Sequence, residues 1–462
     1  MTGNCALTLL AAHINDAGIS VLDADRILYR EPGFALLEDD NLITGIPAFE
    51  NARIKPRRIQ NRYWSELRTD PLPDRRFQHL SPADLVSRQL EHVWQQVSSS
   101  GDRLVIAVPA YMQSENLGLF LGIANEIGVP IVGLIDAAVA ATRREYRGAV
   151  LTHVDMSLHA ASLSRMSQNG QAQLERSAII EDCGLMSLYD GWIRAISDAF
   201  VKQSRFDPLH TAETEQLLLD RLNDWLVAAS SRDEVALDIE YMGISHNAAI
   251  ESLHLVSAAA PVYQKIASQL RAVYRAEETP AIQLSDRAAR MPGLADMLAA
   301  RVGGEVFLLE PGATARGLIT RCRDMQRGEG GVSLIRHLPW DQAAITIETA
   351  DAPEVASGQP THLLFENTAY AIDGRPLLLG SQPGGDERWI DLRAEMPGVS
   401  RRHCSLVRKN GQCVIEDYSR YGTFLNGHKI DGSAVLQVGD LVRLGTPGFE
   451  LRLIMTEADD GA

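Results

Sequence analysis

One pattern occurs twice in this chain, and it restricts the fold more than any other feature. From Val105, the segment VIAVPAYMQSENLGLFLGIANEIGVPIVGLIDAAVAAT reads as strand, loop, helix, glycine turn, strand, acidic residue and then a helix of small residues. From Ala281, AIQLSDRAARMPGLADMLAARVGGEVFLLEPGATARGLI runs through the same order, with Glu310-Pro311-Gly312-Ala313-Thr314-Ala315 answering Asp136-Ala137-Ala138-Val139-Ala140-Ala141. Apolar runs alternating with amphipathic helices are the α/β signature. A duplicated α/β unit predicts two related lobes facing each other, with small-residue helices that let backbones approach closely.

The surrounding sequence fits this plan. Ser81-Pro82-Ala83-Asp84 supplies an N-cap, a proline at the first helical position and an early carboxylate, and Leu85, Val86, Leu90, Val93, Trp94 and Val97 follow at helical spacing. Leu104 to Val108 is a continuous apolar run stopped by Pro109, suited to a strand buried on both faces. Gly184 to Phe206 and Thr211 to Ser230 read as two helices broken at Asp207-Pro208, and the N-terminal apolar stretch, with no basic residue ahead of it, reads as a buried strand.

Composition narrows the classes of function. With 60 acidic against 44 basic residues and a net charge of -16, the chain repels phosphate polymers and anionic lipid on average, so no nucleic-acid partner is expected. The five cysteines fall in no C-x-x-C spacing, which favours reduced thiols, with Cys183 and Cys404 inert and buried. The longest apolar stretch, Leu117 to Thr142, is interrupted by Asn125, Glu126, Asp136 and Pro130, so no membrane insertion is expected.

After Arg327 the texture changes. Gly328-Glu329-Gly330-Gly331 and the stretch from Asp351 to Pro360 read as linker. Beyond them, short apolar runs such as HLLF, CSLV, CVIE, LVRL and FELRLI are separated by Gly, Pro, Asn and Asp turns, which predicts an all-β sandwich. Within it stand Gly380, Ser400-Arg401-Arg402-His403, Glu416-Asp417, Ser419-Arg420-Tyr421-Gly422-Thr423-Phe424-Leu425-Asn426-Gly427, Gly439-Asp440 and Leu444-Gly445. In that order and spacing they resemble a forkhead-associated (FHA) domain, a β-sandwich that binds phosphothreonine peptides through loops at one end.

The resemblance implies that Ser400 donates to the phosphate, that Arg401 and Arg420 lie beside it, and that His403 and Asn426 brace the loops. Two positions depart from the family: Ser381 stands where an arginine usually follows the first glycine, and Tyr421 replaces the usual asparagine of the Ser-x-Asn-Gly-Thr turn. Loss of that arginine removes a charge-assisted bond of about 1.5–3 kcal/mol. Arg401, Arg402 and Arg420 are the candidates to compensate. The alternative is that these elements only shape loops and that the partner is unphosphorylated.

The repeat, its acidic junctions, the string Leu284-Ser285-Asp286-Arg287-Ala288-Ala289-Arg290-Met291-Pro292-Gly293-Leu294 and the segment GFALLEDDNLITGIPAFENARIKPRRIQNRYW are similar to the DnaK-type heat-shock chaperone ATPase domain of the actin-like superfamily. That chemistry needs glycines, because phosphate is cradled by backbone N–H groups approached through side-chain-free turns. Here Ala11 to Gly18 lacks the Asp-x-Gly-Thr element, Asp155 is followed by Met156-Ser157-Leu158-His159-Ala160-Ala161, and Asp286-Arg287 replaces the usual Gly-Gly. Asp136 and Asp155 match acidic positions that hold a metal-bound water in the family. With Asp286 they are remnants of a nucleotide site, or simply strand-end and capping carboxylates.

The expected organisation is an α/β bilobed actin-like ATPase fold with a degenerate nucleotide site over residues 1–327, a linker over 328–359, an all-β FHA sandwich over 360–456 and an acidic tail over 457–462. The expected role is a cytoplasmic, bacterial-type, non-catalytic scaffold whose FHA module binds a protein partner, with no cofactor. The alternative is an active chaperone-like or filament-forming ATPase, using ATP and Mg, with atypical phosphate loops. Two minor features have sharper readings that compete with bland ones. His153, Asp155, Ser157 and His159 share a strand face of metal-donor types, and Lys55, Arg57, Arg58 and Arg62 form a basic patch that is either a solvated loop or a partner surface.

Overall fold

The computed structural model describes residues 8–454 except 25, 39–40, 276, 327–330, 348–358, 366–367, 383–387, 393–398, 421, 426–427, 438–439 and 446–448. The chain divides into two compact units between Ile347 and Glu348.

The first unit holds two six-stranded sheets, five strands of each following the same plan. In the first sheet, Leu9–His13 pairs antiparallel with Ile19–Asp23, which pairs antiparallel with Arg26–Glu31. On its other side Leu9–His13 runs parallel to Arg103–Val108, which runs parallel to Ile131–Asp136. The second sheet repeats this order with Val150–Met156 in the first position, Ala160–Ser167 and Ala172–Glu181 as the antiparallel pair, and Pro280–Leu284 and Glu305–Leu308 as the parallel pair. Each sheet is therefore a hairpin extension followed by two helical crossovers, and the twofold sequence pattern covers the second crossover of each.

Local chemistry accounts for the elements. Ser81 and Asp84 form a reciprocal capping box at the start of helix Pro82–Val97. The side-chain period of two along Leu9-Leu10-Ala11-Ala12 sends Leu10 and Ala12 into a core with Val86, Leu90 and Phe120, and Leu9 and Ala11 into a second core. That second core is shared by the two sheets, and contains Ile135, Ala137, Ala140, Leu151, Ala281, Ala315 and Leu318. The small-residue helices Ala137–Ala141 and Ala313–Arg321 meet there. A Cβ on Gly317 would lie 2.1 Å from the Ala140 carbonyl oxygen, so only glycine allows this approach. Arg321 then donates to the carbonyls of Val139, Ala140 and Thr142, which satisfies the open end of the first helix.

The acidic residues of the two repeats differ in use. Asp136 Oδ1 accepts the N–H groups of Ala138 and Val139, capping its helix. Glu310 is mostly exposed and pairs with Arg316, while the helix that follows it begins at a left-handed Gly312.

Of the linker expected over 328–359, the described residues 331–347 belong to the first unit, while 328–330 and 348–358 lie outside the described residues. Leu334–Ile335 runs parallel to the end strand of the first sheet, His337–Leu338 pairs with Ala172–Gln173 of the second, and Ile345–Thr346 pairs with Tyr146–Arg147. Arg143, Thr320 and Arg321 converge on Asp341. The segment from 331 to 347 is thus a strap stitched to both sheets. Its strands are two residues long, too short for periodicity to register.

The second unit is two antiparallel-rich sheets packed face to face. Leu363, Val442, Leu444 and Leu451 from one sheet meet Leu377, Leu379, Leu406, Cys413 and Ile415 from the other. Each such leucine or isoleucine, fully buried, contributes about 1.5–3 kcal/mol. Cys183, Cys322, Cys404 and Cys413 are buried and unbridged, and burial pushes the thiols of Cys322 and Cys413 up to about 11. Among the described residues, no helix is long and apolar enough to cross a membrane. The predicted acidic tail lies outside the described residues.

Candidate functional site

At one end of the sandwich, several loops are tied into a single surface. Strand Leu377–Gly380 ends against the loop carrying Ser400: the Ser381 N–H donates to the Ser400 carbonyl at 3.1 Å, and the Gln382 N–H to the Arg401 carbonyl at 3.2 Å. Gly380 is required here, because a Cβ would stand 2.1 Å from the Arg401 carbonyl oxygen.

His403 is completely buried behind the loop. Its Nδ1 accepts the Ser400 N–H at 3.1 Å, so Nε2 carries the proton and donates to the Gly422 carbonyl at 3.3 Å. Burial lowers the imidazole's pKa, opposed by the Gly422 carbonyl. The neutral ring thereby joins the loop at 400 to the turn at 419–422. A second tie is direct: Ser400 Oγ accepts the Arg420 N–H at 3.0 Å, so the hydroxyl proton is not used in this bond.

Asp417 shapes the turn itself. Its carboxylate accepts the Ser419 N–H at 2.9 Å and the Thr423 hydroxyl at 2.8 Å, while Ser419 Oγ accepts the Gly422 N–H at 2.8 Å. Burial works against ionisation of Asp417, yet these donors together hold its carboxyl below the ordinary range. Gly422 sits at φ 87°, a conformation that favours glycine.

The three arginines separate by role. The Arg402 guanidinium lies 4.9 Å from the ring centre of Tyr418, whose hydroxyl donates to Glu416 at 2.6 Å. Arg401 and Arg420 are exposed beside Ser400, with no ion pair between described residues. A half-buried hydroxyl and two exposed guanidinium groups on a braced backbone form a surface suited to an anion. Tyr421 and Asn426, singled out in the sequence, lie outside the described residues. Sequence reasoning missed Asp417 and Thr423 as the pair that sets the turn; the Glu-Asp dipeptide ahead of Ser419 was the available signal.

This surface defines a protein-interaction module built on a β-sandwich. Residues 378–445 match the family model of the FHA domain, and this part of the chain is an FHA domain. No curated protein matches the chain.

The other candidate residues belong to the first unit, where Asp155 and Asp286 come together around Arg287, which the sequence marks only as standing in place of a glycine. Arg287 is 4% exposed; its Nη1 lies 3.7 Å from Asp155 Oδ1 and 3.9 Å from Asp286 Oδ1, and Nη2 donates to the Gly18 carbonyl. Asn15 Nδ2 donates to Asp155 Oδ2 at 2.8 Å, and Asp16 Oδ1 accepts the Leu158 N–H at 2.8 Å. Asp286 also faces Arg30 at 3.4 Å and Arg290 at 3.9 Å. Burial is the largest influence on Asp155 and opposes ionisation, but Arg287, His13 and His153 together hold it at about 2. Burial pushes Asp16 up to about 7 against the Leu158 N–H, and burial with Arg287 drives His13 down to about 4.

The strand-face metal reading does not survive. The strand ends at Met156, Ser157 turns back to bond Ala160, and His159 Nε2 lies 3.1 Å from Asn61 Oδ1. His153 Nδ1 meets Gln283 Oε1 at 3.0 Å, and no group of metal-donor residues occurs among the described residues. In the basic patch, Lys55 pairs with Glu38 at 2.5 Å, while Arg57 and Arg62 are exposed.

Proposed function

We propose that the chain is a non-catalytic scaffold or adaptor, in which a body of actin-like, chaperone-ATPase-like plan accompanies an FHA module that reads phosphothreonine on a protein partner. The observation that carries the binding half is the Arg420 N–H to Ser400 Oγ bond. It brings two loops twenty residues apart in sequence to one point, which supports a role for the Ser400 hydroxyl and the Arg401 and Arg420 guanidinium groups as donors to one phosphate. Charge-assisted bonds of this type contribute about 1.5–3 kcal/mol each.

The non-catalytic half is supported by what fills the junction of the two sheets. The repeated strand order agrees with the actin-like resemblance, but the residues present do not fit a nucleoside triphosphate and its metal. Asn15 and Asp16 carry side chains in the turn where a phosphate loop would expose backbone N–H groups, and the Asp16 carboxylate takes up the Leu158 N–H. The Arg287 side chain occupies the space between that turn and Asp155. The strap across both sheets favours a fixed platform over a hinge.

Both halves are testable on the full chain. In fluorescence polarisation with a degenerate phosphothreonine peptide mixture, Ser400→Ala is expected to weaken binding about tenfold or more, since it removes a donor to a charged group. Unchanged binding would overturn the assigned pocket. Phosphate release from ATP is expected to be no faster than in Asp155→Ala; turnover that this substitution abolishes would overturn the non-catalytic reading.

A further inference from the structure

We propose that Asp155 and Asp286, with the Gly18 carbonyl, form a cation pocket whose occupant is the chain's own Arg287, so that the junction between the two sheets is closed by an internal guanidinium. The inference goes beyond the phosphopeptide reading and stands whether or not the FHA module binds phosphate.

Three observations carry it. First, the arginine crosses the junction: it follows strand Pro280–Leu284 of the second sheet, yet donates to Gly18 in the hairpin turn of the first. Second, it is not held by close packing of hydrogen bonds. Among the described residues its Nε and Nη1 have no hydrogen-bond partner, and Asp16 Oδ2, of a fully buried residue, has none either. A guanidinium has five N–H donors, so this one is retained mainly by charge, at separations of 3.7 and 3.9 Å from the two carboxylates. Third, filling the space alone would be served better by an apolar side chain, because burying a charge is costly unless opposite charge surrounds it.

The pocket therefore has a stated chemistry. Two buried carboxylates and a carbonyl oxygen, with the Asn15 amide on the far oxygen of Asp155, select a planar cation with several N–H donors. With Arg287 shortened to alanine, the same groups should accept a small guanidinium from solution.

Sign reversal is the decisive test, read by calorimetric unfolding of the full chain. Asp155→Asn alone should lower the melting temperature of the first unit, because it strips a partner from the buried arginine. In an Arg287→Met background the same Asp155→Asn change should raise it, because it removes a buried carboxylate that has lost its guanidinium and keeps only the Asn15 amide, the Met156 N–H and His13 at 3.8 Å beside it. Lowering in both backgrounds would overturn the proposal. In Arg287→Ala, millimolar ethylguanidinium chloride should raise the melting temperature with a saturable dependence, leaving the parent chain unmoved. An equal rise with sodium chloride, or no rise, would also overturn it. Should Arg287→Ala fail to fold, the methionine background still decides the matter.

Discussion

Ser381→Arg is expected to tighten binding of a phosphothreonine peptide mixture by about one to two decades, since one added charge-assisted bond contributes about 1.5–3 kcal/mol and about 1.4 kcal/mol is a factor of ten. The position follows from the backbone. Ser381 is the first residue beyond strand Leu377–Gly380, and its N–H is bonded to the Ser400 carbonyl, so a side chain there begins beside the loop that carries the Ser400 hydroxyl. The departure at 381 is the main reason to expect weak binding in the parent. Arg402 cannot take over while it stacks on Tyr418, which leaves Arg401 and Arg420. Polarisation on parent and variant checks the prediction; unchanged affinity would mean that the bound group does not reach Ser381.

His403→Ala is expected to lower the stability of the FHA unit by about 2–5 kcal/mol and to abolish peptide binding, although the ring touches no ligand. The change leaves the Ser400 N–H and the Gly422 carbonyl without their partner and opens a cavity behind both loops. The same geometry sets a pH dependence. His403 has a folded pKa below its unfolded value, so its contribution is fully present above about 6.5 and is lost as pH falls through the lowered folded value. Protonation would place a donor at Nδ1 against the Ser400 N–H. Unfolding of this unit, followed from neutral pH downward, should therefore show a loss of stability that His403→Ala lacks. Peptide affinity is the poorer readout, because the phosphate itself takes up a proton near pH 6.

The sequence was informative where the determinant is local. The capping box at Ser81 and Asp84 is complete within four residues, and the FHA turns are spelled by Gly380, Ser419 and Gly422 in order. The repeat was legible for a related reason: a strand, an acidic residue and a small-residue helix recur as a unit, and Gly317 against Ala140 is the close approach that such helices permit.

What stayed hidden depends on distant pairing. The loss of glycines at Asn15 and Asp286-Arg287 was visible, but not that Asn15 would bond Asp155 across 140 residues, nor that Arg287 would turn inward to Gly18. Of the pair Asp286-Arg287 that replaces the two glycines, it is the Arg287 side chain that fills the junction. The direction of a side chain at a turn is set by the turn's backbone, which residue types alone leave undetermined. The strap was read as linker because two-residue strands carry no period, and its anchors, Asp341 with Arg143, are 198 residues apart.

The most direct test is a calorimetric titration of the full chain with one peptide drawn from the bound fraction of the phosphothreonine mixture, in phosphorylated and unphosphorylated forms. The account predicts heat of binding for the phosphorylated form alone, reduced tenfold or more by Ser400→Ala. Equal binding of both forms would contradict it.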